Sequence, residues 1–284
     1  MKKTCDLHSH SRFSDGTSTP AELVRLAEKQ GLSALALTDH NTSHGLKEFM
    51  EAGAQSDVIT VPGCEFTTEW NKKEIHIVGL FFRRKHWEEI EDFLELAHIA
   101  KINSNTLLIE NLNAAGYDIT AEECAALTGA DDFNRAHVAR VLMSKGYVQS
   151  VKEAFDTLLK PGNGFYIPAK RITSMAAIRF IKTYKATAIM AHPLLNLTTE
   201  EMVEFLPQAK EAGLDAIETR YTEFDEKMSE TAVRLAGLFG LKQSGGSDFH
   251  GDTKPGIMLG TGRGNLSVPF EFYESMRACS AYDE

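Results

Sequence analysis

What most constrains this chain is a rhythm. Short apolar runs alternate with amphipathic segments, and run after run ends in His, Asp or Glu. The alternation predicts βα units around a parallel sheet. The runs lie at roughly 4–8, 33–38, 58–65, 75–82, 186–191, 215–219 and 242–247, which gives seven strands. Barrel strands deliver their C-terminal ends to one rim, where chemistry collects. Ionisable residues at the ends of these runs therefore predict a site on that rim. With 284 residues, 43% of them hydrophobic, the chain can bury one large core without needing a second barrel or sandwich.

Local signals place the helices. Thr19-Pro20-Ala21-Glu22 is a capping box with Pro at the first helical position, so a helix starts there and stops near Gly31. Thr198-Thr199-Glu200-Glu201 repeats the signal, and another helix is expected over about 225–239. Between 99 and 168 the rhythm changes. Thr120 with Glu123 and Ser150 with Glu153 mark helix starts, and the next strand-like run is Phe165-Tyr166-Ile167. The expected organisation is a barrel from 1–98 and 169–284, interrupted by a mostly helical insertion, 99–168, that caps the site.

The ends of the runs carry the chemistry. His8 and His10 are two apart in an extended segment and so share a face. Asp15 follows in a turn-like loop. Thr38-Asp39-His40 closes the second run, and Gly63-Cys64-Glu65 closes the third. His76 interrupts the apolar run Glu74–Val78, where a lone His is more often a satisfied core residue. His192 follows Met190-Ala191, and Asp248 and His250 form another same-face pair after Gly245-Gly246. Six of the ten histidines and three carboxylates thus fall at or beside strand ends. This all-N/O donor set can serve two or three divalent ions such as Mn, Fe or Zn. Asp39 reads as a support for its neighbours.

His8-Ser9-His10, Ser14-Asp15-Gly16, Thr38-Asp39-His40, Gly63-Cys64-Glu65, Ala191-His192-Pro193 and Gly246-Ser247-Asp248-Phe249-His250, in this order, resemble the motifs of the polymerase and histidinol phosphatase (PHP) family. The resemblance implies a distorted seven-stranded (β/α)7 TIM-like barrel with a trinuclear metal site. His8, His10, Glu65 and Asp248 would hold one ion. Glu65, His76 and His192 would hold a second, and Asp15, His40 and His250 a third. Asn41 departs from the Asp that many relatives carry there. A hydroxide bridging two ions would be the nucleophile, with no side chain acting directly on the ester. The implied activity is phosphomonoester hydrolysis on a small nucleotide such as a nucleoside 3′,5′-bisphosphate, extending to short 5′-phosphorylated oligonucleotides. Histidinol phosphate is the alternative substrate. A non-catalytic metal-binding module and a metal-dependent C–N hydrolase are the alternatives of other classes.

A net charge of −10 argues against duplex nucleic acid as partner, because such affinity comes largely from Lys and Arg on phosphates. Three divalent ions would outweigh the three carboxylates among their ligands, so a small phosphorylated substrate still meets a positive site. Asn134, Arg135 and His137 in the insertion, and Arg12 beside the first motif, are candidate substrate contacts. Lys170 and Arg171 are weaker candidates, and Phe165 and Tyr166 are expected to pack in a core. Four scattered cysteines without a CxxC pair, no signal-peptide pattern and no long apolar run predict a cytoplasmic protein with reduced thiols and no membrane span.

Overall fold

A computed structural model describes residues 3–127, 133–169 and 171–282. It divides into two compact units, Met1–Asp92 with Ile172–Glu284, and Phe93–Arg171.

The first unit is built on strands β1 (Thr4–Asp6), β2 (Ala34–Leu37), β3 (Ile59–Trp70), β4 (Lys73–Leu80), β5 (Thr187–Met190), β6 (Ala216–Tyr221), β7 (Lys242–Gly246) and β8 (Val268–Pro269). They form one sheet in the order β7-β6-β5-β4-β3-β2-β1-β8. Beyond the strand ends the sheet turns back on itself. The Leu7 N–H donates to Gly245 O at 3.2 Å, Asp248 N–H to His8 O at 2.9 Å and His10 N–H to Phe249 O at 2.9 Å. The closure is a parallel seam beside the first and last motifs, which gives a barrel-shaped α/β fold.

The sheet departs from the expectation in two ways. It has eight strands, because the two-residue β8 pairs antiparallel with β1. It is also mixed: β3 and β4 form a long antiparallel hairpin, and β4 pairs antiparallel with β5. The cause is the turn at Asn71 and Lys72, whose φ angles of 49° and 65° match a two-residue hairpin and leave no room for a crossover helix.

Burial follows the strand period of two. Ala34 and Ala36 face a core shared with Cys5, Leu7, Val61, Val78 and Ile189. Leu35 and Leu37 face the other way, onto Leu23, Val24 and Ala27 of the helix Pro20–Gln30. Both leucines are fully buried, contributing about 2 kcal/mol each. That helix begins at the expected capping box. Thr19 Oγ1 accepts from Glu22 N at 3.1 Å, and the Glu22 carboxylate accepts from Thr19 N at 2.8 Å. Gly31 ends it at φ 71°, a conformation that glycine adopts without a Cβ penalty. The helix Thr199–Ala212 starts in the same way at Thr198 and Glu201.

The second unit is helical, with a core of its own around Leu108, Leu112, Ile119, Val138, Leu142 and Leu159. The predicted starts at Thr120 and Ser150 cap the helices Ala121–Ala125 and Val151–Thr157. Phe165 and Tyr166 pack against this core, partly buried, and form no strand. Among the described residues, no helix of the chain is long and apolar enough to cross a membrane.

Candidate metal centre

The rim of the first unit gathers all nine candidate ligands. Glu65, fully buried in β3, is the hub. Its Oε2 lies 3.1 Å from His8 Nε2, 3.3 Å from His10 Nε2 and 3.1 Å from His40 Nδ1. Its Oε1 lies 3.0 Å from His76 Nδ1 and 3.2 Å from His192 Nε2. Asp248 Oδ1 approaches His10 Nε2 at 3.1 Å and His8 Nε2 at 3.6 Å. Asp15 Oδ1 is 3.1 Å from His250 Nε2 and 3.9 Å from His10 Nδ1, and its Oδ2 is 3.9 Å from His40 Nε2.

Three groups have the compactness a metal ion needs: His8, His10, Glu65 and Asp248; His40, Glu65 and His76; and His10, Asp15, His40 and His250. His10 and His40 each face two groups, and His192 joins through Glu65.

The donor chemistry fits divalent cations. Six buried atoms here, His8 Nε2, both nitrogens of His10, His40 Nδ1, Glu65 Oε2 and His250 Nε2, have no hydrogen-bond partner among the described residues. Their short separations fail the angular requirement of a hydrogen bond, so lone pairs converge on common space. Leaving such a group unpaired costs about 1–3 kcal/mol, which a fold tolerates only where something else satisfies it. Imidazole and carboxylate without sulfur suit Mn, Fe or Zn.

Electrostatics point the same way. Burial alone would push His8 down, but Glu65, Glu218 and Asp248 outweigh it and raise it well above the ordinary imidazole value. Burial lowers His76 too, yet Glu65 and Glu74 lift it to about 10. Glu65 is held well below the carboxylate range by its histidines, against the opposing effect of burial. Asp15, half-exposed, falls to about 2, burial being outweighed by His250, His40 and His10. His40 is the exception: burial wins over Glu65 and brings it to about 4. A field that attracts protons to these nitrogens attracts metal cations in their place.

Neighbours orient the donors. The His250 ring places Nδ1 2.8 Å from Asp248 O, and His192 places Nδ1 3.2 Å from Asn196 Oδ1, which turns both Nε2 atoms toward the carboxylates. Tyr221 OH and Lys254 Nζ donate to Asp248 Oδ2 at 2.8 and 2.7 Å, leaving Oδ1 to the histidines. Asp39 accepts from Ser11 N, Ser11 Oγ and Ser14 Oγ at 2.6–2.7 Å and so shapes the loop that carries Asp15. Asn41 exchanges two 2.9 Å hydrogen bonds with Thr67. Asp6 accepts from Ser247 N and Oγ and from Gly260 N, which ties β1 to the loops after β7. A Cβ on Gly246 would meet His8 Cβ at 2.4 Å, so the seam requires glycine there. His192, Asp248 and Asn41 all have positive φ (29°, 54° and 50°), and backbone strain of this kind collects at functional sites.

Four supporting residues were not legible as such: Asp6, Glu218, Tyr221 and Lys254. Glu218 carried the signal, since Ala216-Ile217-Glu218 is another apolar run ending in a carboxylate. Tyr221 and Lys254 carried none.

The candidate substrate contacts have partners of their own. Arg12 is mostly exposed, 4.0 Å from Glu48. Asn134 caps the helix Arg135–Ser144, with Oδ1 accepting from Ala136 N and His137 N, while its own N–H donates to His137 Nδ1. Arg135 donates to Leu159 O at 3.2 Å, and its guanidinium lies 4.2 Å from the Tyr166 ring centroid. Lys170 lies outside the described residues.

Known proteins share this pattern. A PHP domain model matches residues 6–171. The chain is 33% identical over 251 residues to the 5′-3′ exoribonuclease of Haemophilus influenzae, spanning 88% of this chain and 91% of that protein. It is 28% identical over 263 residues to the 3′,5′-nucleoside bisphosphate phosphatase of Chromobacterium violaceum, spanning 90% of each. The solved structure of a metal-dependent phosphoesterase from Bifidobacterium adolescentis shares the fold with a TM-score of 0.70 at 24% identity, over 98% of this chain and 97% of that one.

Proposed function

The chain belongs to the PHP family and is a metal-dependent phosphoesterase, and from that premise we propose that it hydrolyses phosphomonoesters of small nucleotides. Nucleoside 3′,5′-bisphosphates are the preferred substrates, and short 5′-phosphorylated oligonucleotides are further ones. The observation that carries this reading is the set of six buried, partnerless donor atoms gathered around Glu65. The substrate class follows the names of two relatives, one a bisphosphate phosphatase and one an exoribonuclease.

The proposed ligands are His8, His10, Asp15, His40, Glu65, His76, His192, Asp248 and His250, holding two or three ions of Mn, Fe or Zn. Bound ions would polarise a phosphoryl oxygen and lower the pKa of water to the neutral range. The chain's part is orientation. Glu65 sets the spacing of five imidazoles, and Asp248 is fixed on one oxygen by Tyr221 and Lys254 so that the other is presented. Asp15, half-exposed, forms the open edge where a substrate enters. Arg12, on the loop between His10 and Asp15, is the candidate grip for a second phosphate.

The test is elemental analysis of protein purified without chelator, followed by phosphate release with manganese. The panel is adenosine 3′,5′-bisphosphate, AMP, histidinol phosphate and a short 5′-phosphorylated RNA. Two to three ions per chain with preferred turnover of the bisphosphate supports the reading. Full loading with histidinol phosphate preferred overturns the substrate and keeps the chemistry. Protein that takes up no metal and stays inactive on reconstitution overturns the metal centre.

A further inference from the structure

Glu218 lies almost fully buried at the rim, yet it belongs to none of the metal-sized donor groups among the described residues. Its two oxygens are divided between distant parts of the chain. Oε1 lies 2.9 Å from His8 Nδ1, and Oε2 accepts from the His192 backbone N–H at 2.7 Å. A buried carboxylate is costly unless donors compensate it, and these two do.

We infer that Glu218 is the positioning residue of the metal centre, holding the His8 ring and the His192 turn with one side chain. This rests on the metal-centre reading above. A carboxylate only accepts, so His8 Nδ1 carries a hydrogen, and in the metal-loaded protein, where the ring is neutral, the Nε2 lone pair turns toward Glu65 and Asp248. At the other end, His192 follows β5 in the left-handed region at φ 29°, a conformation unfavourable for a side chain with a Cβ. The bond from its N–H to Glu218 holds that turn and sets the ring whose Nε2 meets Glu65. Glu218 thus couples the ligands that follow β1 and β5 through β6, a strand that contributes none of the nine.

The geometry makes the isosteric change informative. In Glu218→Gln only one branch still accepts, and the amide NH2 on the other faces a donor. Either the His8 hydrogen moves to Nε2, turning a donor into the metal site, or the His192 N–H loses its partner. The experiment is equilibrium dialysis of the wild type and Glu218→Gln against a range of free manganese, with far-UV circular dichroism and metal-free melting in parallel. Long-range ¹H–¹⁵N spectra of the His8 ring, recorded on the zinc-loaded wild type, accompany it. Expected are an unchanged fold and a manganese affinity lowered about 10- to 100-fold in the variant, with the wild-type His8 hydrogen on Nδ1. A variant that titrates like the wild type, or that loses only metal-free melting temperature, overturns the role of Glu218. Should the variant fail to fold, the zinc-loaded wild-type spectra decide: a slowly exchanging Nδ1 hydrogen shifted downfield by a carboxylate acceptor upholds the inference, and an Nδ1 hydrogen without that shift, or one on Nε2, overturns it. A wild type that binds no manganese overturns the metal-centre reading itself.

Discussion

The two units satisfy their polar groups over very different distances along the chain. In the helical unit the capping bonds are local, and other side-chain bonds reach 24 residues from Arg135 to Leu159 and 63 from Ser104 to Ile167. Thr120 with Glu123 and Asn134 with His137 are capping pairs three residues apart, beneath a core of ordinary apolar residues. At the barrel rim the partners are remote: 127 residues separate Glu65 from His192, 210 separate His8 from Glu218, and 241 separate Asp6 from Ser247. Six rim atoms there have no partner at all among the described residues. Local pairing builds stable structure from short stretches of sequence. Remote pairing left incomplete is how a fold holds donors in readiness for a ligand, at a cost in stability that the rest of the barrel offsets.

The comparison breaks most visibly at Glu65. Glu65→Gln keeps the volume and removes the shared charge, so manganese uptake should fall below detection and phosphate release should drop on the order of 10³-fold. Hydrogen exchange in 93–171 should not change, and a change there would mean that the two units do not satisfy themselves separately.

Acid and base sharpen it next, in metal-free protein. The folded value of His40, lowered to about 4, lies below the roughly 6.5 of an unfolded imidazole, so its contribution is present above that value and is lost as pH falls toward 4. The folded value of His76, raised to about 10, does the reverse: its contribution is present below about 6.5 and is lost as pH rises through 10. Barrel stability should therefore peak near neutral pH, read as the denaturant midpoint at several pH values. Amides of the helical unit, whose core is built from apolar side chains, serve as the comparison. A flat profile for the barrel would show that the rim histidines are not under the field described.

The smallest effect belongs to the helical unit. Asn134→Ala removes the cap of Arg135–Ser144 and should cost about 1 kcal/mol of stability, with manganese affinity unchanged. A loss of metal affinity in this variant would contradict the separation.

How much was legible follows the same division. Thr19, Thr198, Thr120 and Ser150 announced their helices because each cap needs only its neighbours. Seven of the nine rim residues were legible because a charged group ending an apolar run is conspicuous, while Asp15 and His76 entered through the family resemblance. That His10 and His40 each face two sets of donors was not legible, since only the closed barrel shows it. The hairpin of β3 and β4 was missed because Asn71-Lys72 lacks the glycine that usually marks such a turn. β8 was missed because two residues carry no periodicity. Asn134 attracted a substrate role because His, in place of Glu, stands at the third helical position and disguises the cap.

The seam between β1 and β7 also bears on how the protein is made. The donors span from His8 to His250, and the bonds that close the barrel beside them require Gly245, Asp248 and Phe249. On the ribosome, a nascent chain that has emerged only through β4 holds His8, His10, His40, Glu65 and His76 in an open sheet. It still lacks the residues that complete two of the three donor groups. Synthesis therefore delays assembly of the metal centre until the loop after β7 has emerged, and a polypeptide released before that point lacks the complete site.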